Sequence, residues 1–343
     1  MTTSYIILSF GIFLVIVYDF TNGFLDAADM IATAIASGSM TPKLAILIAT
    51  VFTFIGPFLG GMAVADTIGE FVSIKGAAVH TAQAVTIAAI LTAITYNLVT
   101  WKLSLPSSSS ASLTSGLIGA GLYALGNSNI HWGITELSHG TISGFMKIIV
   151  GMFFSPFAGF IVGFLLIKLM LRLMRRLSIK SKKILIASQY VTVSWLAFSH
   201  GTNDAQKGMG VMAMLLFASG VYPVFHVPLW VIFLCATSIT LGTLFGGWNI
   251  IRTVGYGIYK VKLVHSIADQ IGSAFIILFS SFIGAPTSTT QVVTTTLMGV
   301  GAGERPRHVR WRMAKTIATG WLLNIPVCIL LGAGYCFIFS KLF

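Results

Sequence analysis

The chain has 343 residues, of which 56% are hydrophobic and only 9% are charged, and its formal net charge is +12. A soluble domain carries charge on about a quarter of its residues, so this composition excludes an ordinary soluble protein. The mean hydropathy is +0.90, and long apolar runs recur from one end of the sequence to the other. These features predict an all-α polytopic membrane protein with about ten to twelve membrane segments, since one crossing needs roughly 20 residues.

The positive charge is concentrated in two basic runs, residues 168–183 and 305–315. Basic loops between apolar spans stay on the cytoplasmic side, so both runs are predicted to be cytoplasmic. Membrane lipids with anionic headgroups are the partners that such runs favour, and no nucleic-acid partner is expected. The chain starts without Lys or Arg before its first apolar run, so both termini are predicted outside a cell (plasma or inner) membrane.

In the first half, residues 22–29 are Asn-Gly-Phe-Leu-Asp-Ala-Ala-Asp. Gly23 interrupts an apolar run there, so a continuous helix is poorly supported. A Gly-Gly pair follows at residues 60–61, and residues 105–110 are Leu-Pro-Ser-Ser-Ser-Ser. Proline removes a backbone donor and disfavours helix at the residue before it. We therefore predict a break over residues 105–110 that leads into the start of a helix.

The second half contains the same three elements in the same order and at nearly the same spacing. Residues 200–207 are His-Gly-Thr-Asn-Asp-Ala-Gln-Lys, a Gly-Gly pair lies at 246–247, and residues 285–290 are Ala-Pro-Thr-Ser-Thr-Thr. The duplication predicts two inverted-topology repeats with broken or re-entrant helices. Their expected bounds are residues 1–171 and 184–343, joined by a basic cytoplasmic linker over 172–183.

Ionisable residues inside apolar segments, duplicated beside broken helices, are typical of secondary transporters. At the start of a broken helix, backbone N–H groups and hydroxyls converge on a positive dipole end, which favours an anion. The candidate substrate ligands are the polar residues of the four segments: Asn22, Asp26, Ser108, Ser109, Ser110, Asn203, Asp204, Ser288, Thr289 and Thr290.

Five ionisable residues are candidates for coupling transport to an ion: Asp26, Asp29, His200, Asp204 and Lys207. Asp29 and Lys207 occupy equivalent positions of the two repeats, and a pair between them would neutralise two buried charges. A fixed ammonium in place of a bound cation favours H+ as the coupling ion. Na+ bound at Asp26 and Asp204 stays open, and neither a resident metal nor a cofactor is expected. His200 either carries the coupling proton or bonds a neighbouring helix.

At these motifs the chain resembles the bacterial branch of the inorganic phosphate transporter (PiT) family, and residues 198–207 and 246–255 are similar to it as well. The resemblance implies an ion-coupled oxyanion symporter with two inverted repeats that forms a homodimer. The chain departs from the family pattern at Asp29, where Asn is usual. Ala111 and Gln291 stand where the family commonly has His.

We therefore predict secondary active symport of inorganic phosphate by alternating access, with the anion held between the repeats. Phosphate keeps a proton near neutral pH and can donate it to a carboxylate. Sulfate is fully ionised and is repelled by Asp26 and Asp204 unless they are protonated. A sulfate permease of the same family stays an alternative, as does a sodium-coupled phosphate symporter. An enzyme is not expected, because no Gly-x-Ser-x-Gly elbow occurs.

Overall fold

The computed structural model describes residues 2–103, 107–174, 181–246 and 259–342. Within these ranges the fold is all-helical and forms no β-strand. The helices are α1 Thr2–Ala36, α2 Pro42–Leu59, α3 Ala63–Glu70, α4 Val79–Lys102, α5 Ser109–Ala124, α6 Ile134–Ser138, α7 Gly144–Met174, α8 Ser181–Ala218, α9 Leu229–Phe245, α10 Leu263–Phe282, α11 Thr289–Glu304 and α12 Trp311–Leu342. Short 3-10 turns lie at Asn127–Asn129 and Pro306–His308. Parts of the predicted linker and of the second Gly-Gly element lie outside the described residues.

Six of the described helices are long and apolar enough to cross a membrane, judged by length and composition: α1, α2, α4, α7, α10 and α12. Helix α8 has 38 residues and contains the polar segment 200–207. Helix α9 has 17 residues, and α5 and α11 have 16 each. The all-helical membrane fold is thus confirmed, and the lower end of the predicted ten to twelve segments is reached once these four helices are counted.

Helices α1 and α8 run unbroken through the segments 22–29 and 200–207, so the expected interruption at Gly23 is wrong. Gly23 has a packing role instead, because a Cβ atom there would lie 2.0 Å from the main-chain oxygen of Ile239 on α9. Gly201 on α8 has the same relation to Thr53 on α2, at 2.2 Å. Small residues allow this close approach of two membrane helices.

Helices α1 and α8 pack together at the centre and run in opposite directions. The carboxyl group of Asp19 lies against Gly208, and the amide of Asn22 bonds Asp204. Residue numbers therefore rise along one helix as they fall along the other. The segments that carry Asp26 and Asp204 thus face each other in antiparallel register.

The surrounding helices pack in corresponding pairs. Helix α1 packs on α9 as α8 packs on α2, and α5 packs on α12 as α11 packs on α7. Gly119 of α5 lies against the backbone of Ile329 in α12, and Gly299 of α11 lies against the backbone of Phe160 in α7. Corresponding segments of the two halves are therefore packed against corresponding helices.

The described start of the first basic run lies close to the start of the second. The C-terminal part of α7, which leads into the first run, packs through Ile167 against Gly303 near the end of α11. The second run begins at Arg305, directly after α11 ends. The described ends of the two runs are therefore neighbours in the fold.

Candidate anion and ion-coupling site

The two hydroxyl clusters begin the helices α5 and α11, as the sequence predicted. Helix α5 starts at Ser109, and the N-cap residue Ser108 accepts a hydrogen bond from the Ala111 N–H at 3.2 Å. Helix α11 starts at Thr289 with Ser288 as its N-cap. Residues 104–106 lie outside the described part, so the first break is seen only from Ser107 onward. Both starts have positive dipole ends and backbone N–H groups without partners inside the helix.

The two helix starts touch each other. The Ser110 hydroxyl donates to the main-chain oxygen of Thr287 at 2.6 Å, just before α11 begins. The Asn203 side chain holds this loop, since its Oδ1 accepts from the Thr287 N–H at 3.3 Å and its Nδ2 donates to Ser281 at 2.9 Å. Asn203 and Ser110, both predicted as substrate ligands, therefore use these polar atoms to position the loop.

Asp204 is a fully buried carboxylate with three donors. The Lys207 ammonium donates to Oδ1 at 2.7 Å, Thr289 donates to the same oxygen at 3.1 Å, and Asn22 donates to Oδ2 at 3.1 Å. Lys207 is itself fully buried, so it does not extend to the membrane interface. A paired charge with additional hydrogen bonds is the form in which a buried carboxylate is tolerated.

The predicted pair between Asp29 and Lys207 is wrong. Residues three apart on a helix are neighbours, so Lys207 reaches Asp204 on its own helix. Asp29 instead contacts Thr290, whose hydroxyl lies 2.7 Å from Asp29 Oδ2 and 3.0 Å from Asp26 Oδ1. A hydroxyl group carries one hydrogen and cannot donate to both carboxylates.

His200 lies between the halves. Its Nδ1 is 3.3 Å from the Thr289 hydroxyl and 3.7 Å from Asp204 Oδ2. Asp26, His200 and Asp204 each offer one ligand atom, and these atoms lie within 4.8 Å of one another. Within the described residues this trio has the composition of a small cation site.

Three residues of the site keep a small part of their surface exposed. Asp26, Ser109 and Thr290 keep 7%, 8% and 6% of their surface exposed, whereas Asp204 and Lys207 keep none. The surroundings of Asp26 are therefore less enclosed than those of Asp204.

The fold brings all the predicted site residues together, and it adds three that the sequence analysis missed. Asn324 of α12 donates to the main-chain oxygen of Ser108 at 3.0 Å and supports the α5 start. Asp19 and Asp269 are buried carboxyl groups beside the site. A signal for Asp19 existed, because it precedes Asn22 by three residues and Asp26 by seven, which places all three on one helix face.

Comparison with known proteins decides the family. The model of the phosphate transporter family matches residues 22–188 and 175–332. The chain belongs to the phosphate transporter family. The "Probable low-affinity inorganic phosphate transporter" of Bacillus subtilis is 36% identical over 95% of this chain and 95% of its own length. The protein of the same description in Rhizobium meliloti is 36% identical over 92% and 91%.

A solved structure described as "The sodium-dependent phosphate transporter" has the same fold. It is 21% identical, covers 100% of both chains and superposes with a TM-score of 0.85. The predicted family and the transporter class, as opposed to an enzyme, are thus confirmed.

Proposed function

We propose that this transporter is a secondary active symporter of inorganic phosphate that works by alternating access. The anion is held between two repeats of opposite orientation, residues 1–171 and 184–343, joined by the linker 172–183. Three features support the repeats: the antiparallel α1 and α8, the corresponding helix pairs around them, and the two N-capped helix starts.

The phosphate lies where the starts of α5 and α11 meet. Free backbone N–H groups and positive dipole ends favour an anion at this point. Ser109 keeps part of its surface exposed and can donate its hydroxyl hydrogen, and Asp26 can accept the proton of a phosphate oxygen. The meeting of two helix starts beside the partly exposed Asp26 is the observation that carries the proposal.

The Asp26 carboxyl group favours phosphate over sulfate. Phosphate near neutral pH carries a proton that can bond an ionised carboxylate, whereas sulfate has none. A buried carboxylate facing sulfate adds a like charge in a low-dielectric site, and this repulsion is costly. The relatives described as phosphate transporters support the same substrate.

Proton coupling fits the charges of the site. Thr290 touches two carboxyl groups with one hydrogen, and a proton on Asp26 or Asp29 supplies the missing one. Lys207 places a fixed positive charge on Asp204. A sodium ion between Asp26, His200 and Asp204 is the second candidate, favoured by their close approach. This sodium ion has to displace hydrogen-bond donors that already occupy both oxygens of Asp204.

Transport by the purified protein in liposomes tests both assignments. Uptake of labelled phosphate should follow an imposed inward proton gradient and continue without sodium. Unlabelled phosphate should compete far better than unlabelled sulfate. Strict sodium dependence would overturn the coupling ion, and stronger competition by sulfate would overturn the substrate.

The proposed orientation places both basic runs in the cytoplasm and both termini outside. It is supported by the close approach of the start of the first run to the start of the second. The three native cysteines are buried, so single cysteines can be introduced at the exposed positions His139 and Arg307. In intact cells a membrane-impermeant thiol reagent should label His139→Cys and leave Arg307→Cys unlabelled, and the reverse pattern contradicts this orientation.

A further inference from the structure

Two buried carboxyl groups, Asp19 on α1 and Asp269 on α10, lie outside the anion site. Both are completely shielded from solvent. Among the described residues, neither oxygen of Asp19 has a hydrogen-bond partner, and Oδ2 of Asp269 has none. Oδ1 of Asp269 lies 3.5 Å from the Ser273 hydroxyl, at the limit of a hydrogen bond. An isolated carboxylate is costly to bury, and such a group holds a proton instead.

Asp19 lies against the half of the site that contains Asp204. A Cβ atom on Gly208 would lie 2.2 Å from Asp19 Oδ1, so the carboxyl group packs directly on the backbone of α8 next to Lys207. The titratable groups that face it are Lys207 and Asp204 on α8, Cys235 on α9, and Tyr18 on its own helix.

Asp269 lies against the half of the site that contains Asp29. The titratable group that faces it is Asp29 on α1, and the hydroxyls of Thr33 on α1 and Ser273 on α10 lie beside it. Its neighbour Gln270 bonds α8 through Thr192 at 2.6 Å. Asp269 is thus fixed at the contact of three helices.

Asp19 begins a polar stripe on α1, and Asp269 lies beside the other end of this stripe, near Thr33. Positions 19, 22, 26, 29 and 33 follow each other at spacings of three and four residues, so they share one face of the helix. At 1.5 Å per residue the stripe is about 21 Å long. It covers about two thirds of a hydrocarbon core of about 30 Å. The anion site lies in its middle, with Asp19 on one side and Asp269 on the other.

We propose that Asp19 and Asp269 carry the coupling protons to and from the anion site, from opposite sides of the membrane. This inference rests on the proton-coupled symport proposed above. In each transfer an O–H bond of one carboxyl group breaks as an O–H bond forms on the next acceptor, directly or through a water molecule. No electron moves, and no other group is transferred. Between transfers each carboxyl group is neutral.

The test uses Asp19→Asn and Asp269→Asn in proteoliposomes, with a pH-sensitive dye inside. Asparagine has the shape of a protonated aspartate, so both variants should keep the thermal stability of the unmodified protein. Exchange of labelled for unlabelled phosphate needs no net proton movement, so its rate should stay within about twofold of that of the unmodified protein. Net uptake and proton influx should fall on the order of a hundredfold, the effect of losing a positioned proton-transfer group.

Asp66→Asn is the matched control, because Asp66 is an exposed carboxylate on α3, and it should leave uptake, influx and exchange unchanged. Should an Asn variant fail to reach the membrane, the smaller and equally neutral Asp19→Ser and Asp269→Ser replace it with the same expectation. If a variant at Asp19 or Asp269 shows net proton-driven uptake at the rate of the unmodified protein, the inference is overturned. Loss of both phosphate exchange and thermal stability in a variant also overturns the inference, since that residue then has a structural role. Failure of proton coupling itself is visible in the unmodified protein, as uptake driven by sodium without proton influx.

Discussion

The two halves of the site hold equivalent carboxyl groups in different surroundings. Asp204 receives hydrogen bonds from three side chains, and one of them is the ammonium of Lys207. Asp26 shares the single hydroxyl of Thr290 with Asp29. Equivalent backbone positions therefore do not impose equivalent electrostatics. In the second half the ammonium of Lys207 compensates the charge, and among the described residues no ion pair does so for Asp26.

The strongest test of this contrast neutralises each aspartate in turn. Asp26→Asn and Asp204→Asn should both abolish phosphate uptake, but only Asp204→Asn should destabilise the fold. It leaves Lys207 buried without a counter-charge, which costs about 3–5 kcal/mol. Uptake in liposomes and thermal unfolding of the purified variants separate the two effects. Unmodified uptake by either variant, at matched protein amounts, would remove that residue from the site.

The next test changes the equivalent positions Lys207 and Asp29. Lys207→Ala should cost several kcal/mol of stability, because Asp204 loses its partner in a buried place. Protonation of Asp204 relieves part of this cost, so the variant should keep most of its uptake only at acidic pH. Asp29→Asn should change stability little, since Asp29 has no ion pair to lose. Equal losses of stability in the two variants would show that the halves are alike.

A smaller effect is expected at the hydroxyl groups that begin α5 and α11. Ser109→Ala should weaken phosphate binding by about 1.5–3 kcal/mol, the value of a hydrogen bond to a charged group. Thr290→Ala should affect binding less, because Asp26 and Asp29 already share its hydroxyl hydrogen. Thr289→Ala should affect binding less, because its hydroxyl is committed to Asp204. The rise in melting temperature with added phosphate measures the phosphate affinity of all three variants. Equal affinity in Ser109→Ala and Thr289→Ala would contradict phosphate binding at Ser109.

The smallest expected effect concerns the support of the α5 start. Asn324→Ala removes the hydrogen bond to Ser108 O and should cost about 0.5–1.5 kcal/mol of stability. Ser155 on α7 is the control, because its hydroxyl bonds the main chain of Gly151 within its own helix. Ser155→Ala should leave both stability and phosphate affinity unchanged. A loss as large as that of Asn324→Ala would show that the effect is not specific to the support of the α5 start.

Much of the site could be predicted because its elements are duplicated. Asp26, Asp204 and the two hydroxyl clusters stand at matching distances from matching prolines, and a proline that stops one helix fixes where the next can start. The helix starts at Ser109 and Thr289 followed from this local rule. The family followed from the same motifs.

The errors arose where tertiary contacts decide. Gly23 was expected to break α1, but it admits the backbone of Ile239, and that partner is 216 residues away in sequence. Lys207 was assigned to Asp29 across the molecule, although the spacing of three residues to Asp204 already indicated the nearer partner. The loop-holding role of Asn203 depends on Ser281 and Thr287, which only the fold brings close.

The glycine contacts described for α1 and α8 set the dimensions of the site. Gly23 and Gly201 touch main-chain atoms of α9 and α2, and each stands next to a site residue, Asn22 or His200. Side chains change rotamer on the picosecond to nanosecond timescale, but a backbone contact has no rotamer to change. Beside the candidate site, the spacing of α1 from α9 and of α8 from α2 therefore does not change with side-chain rotamers.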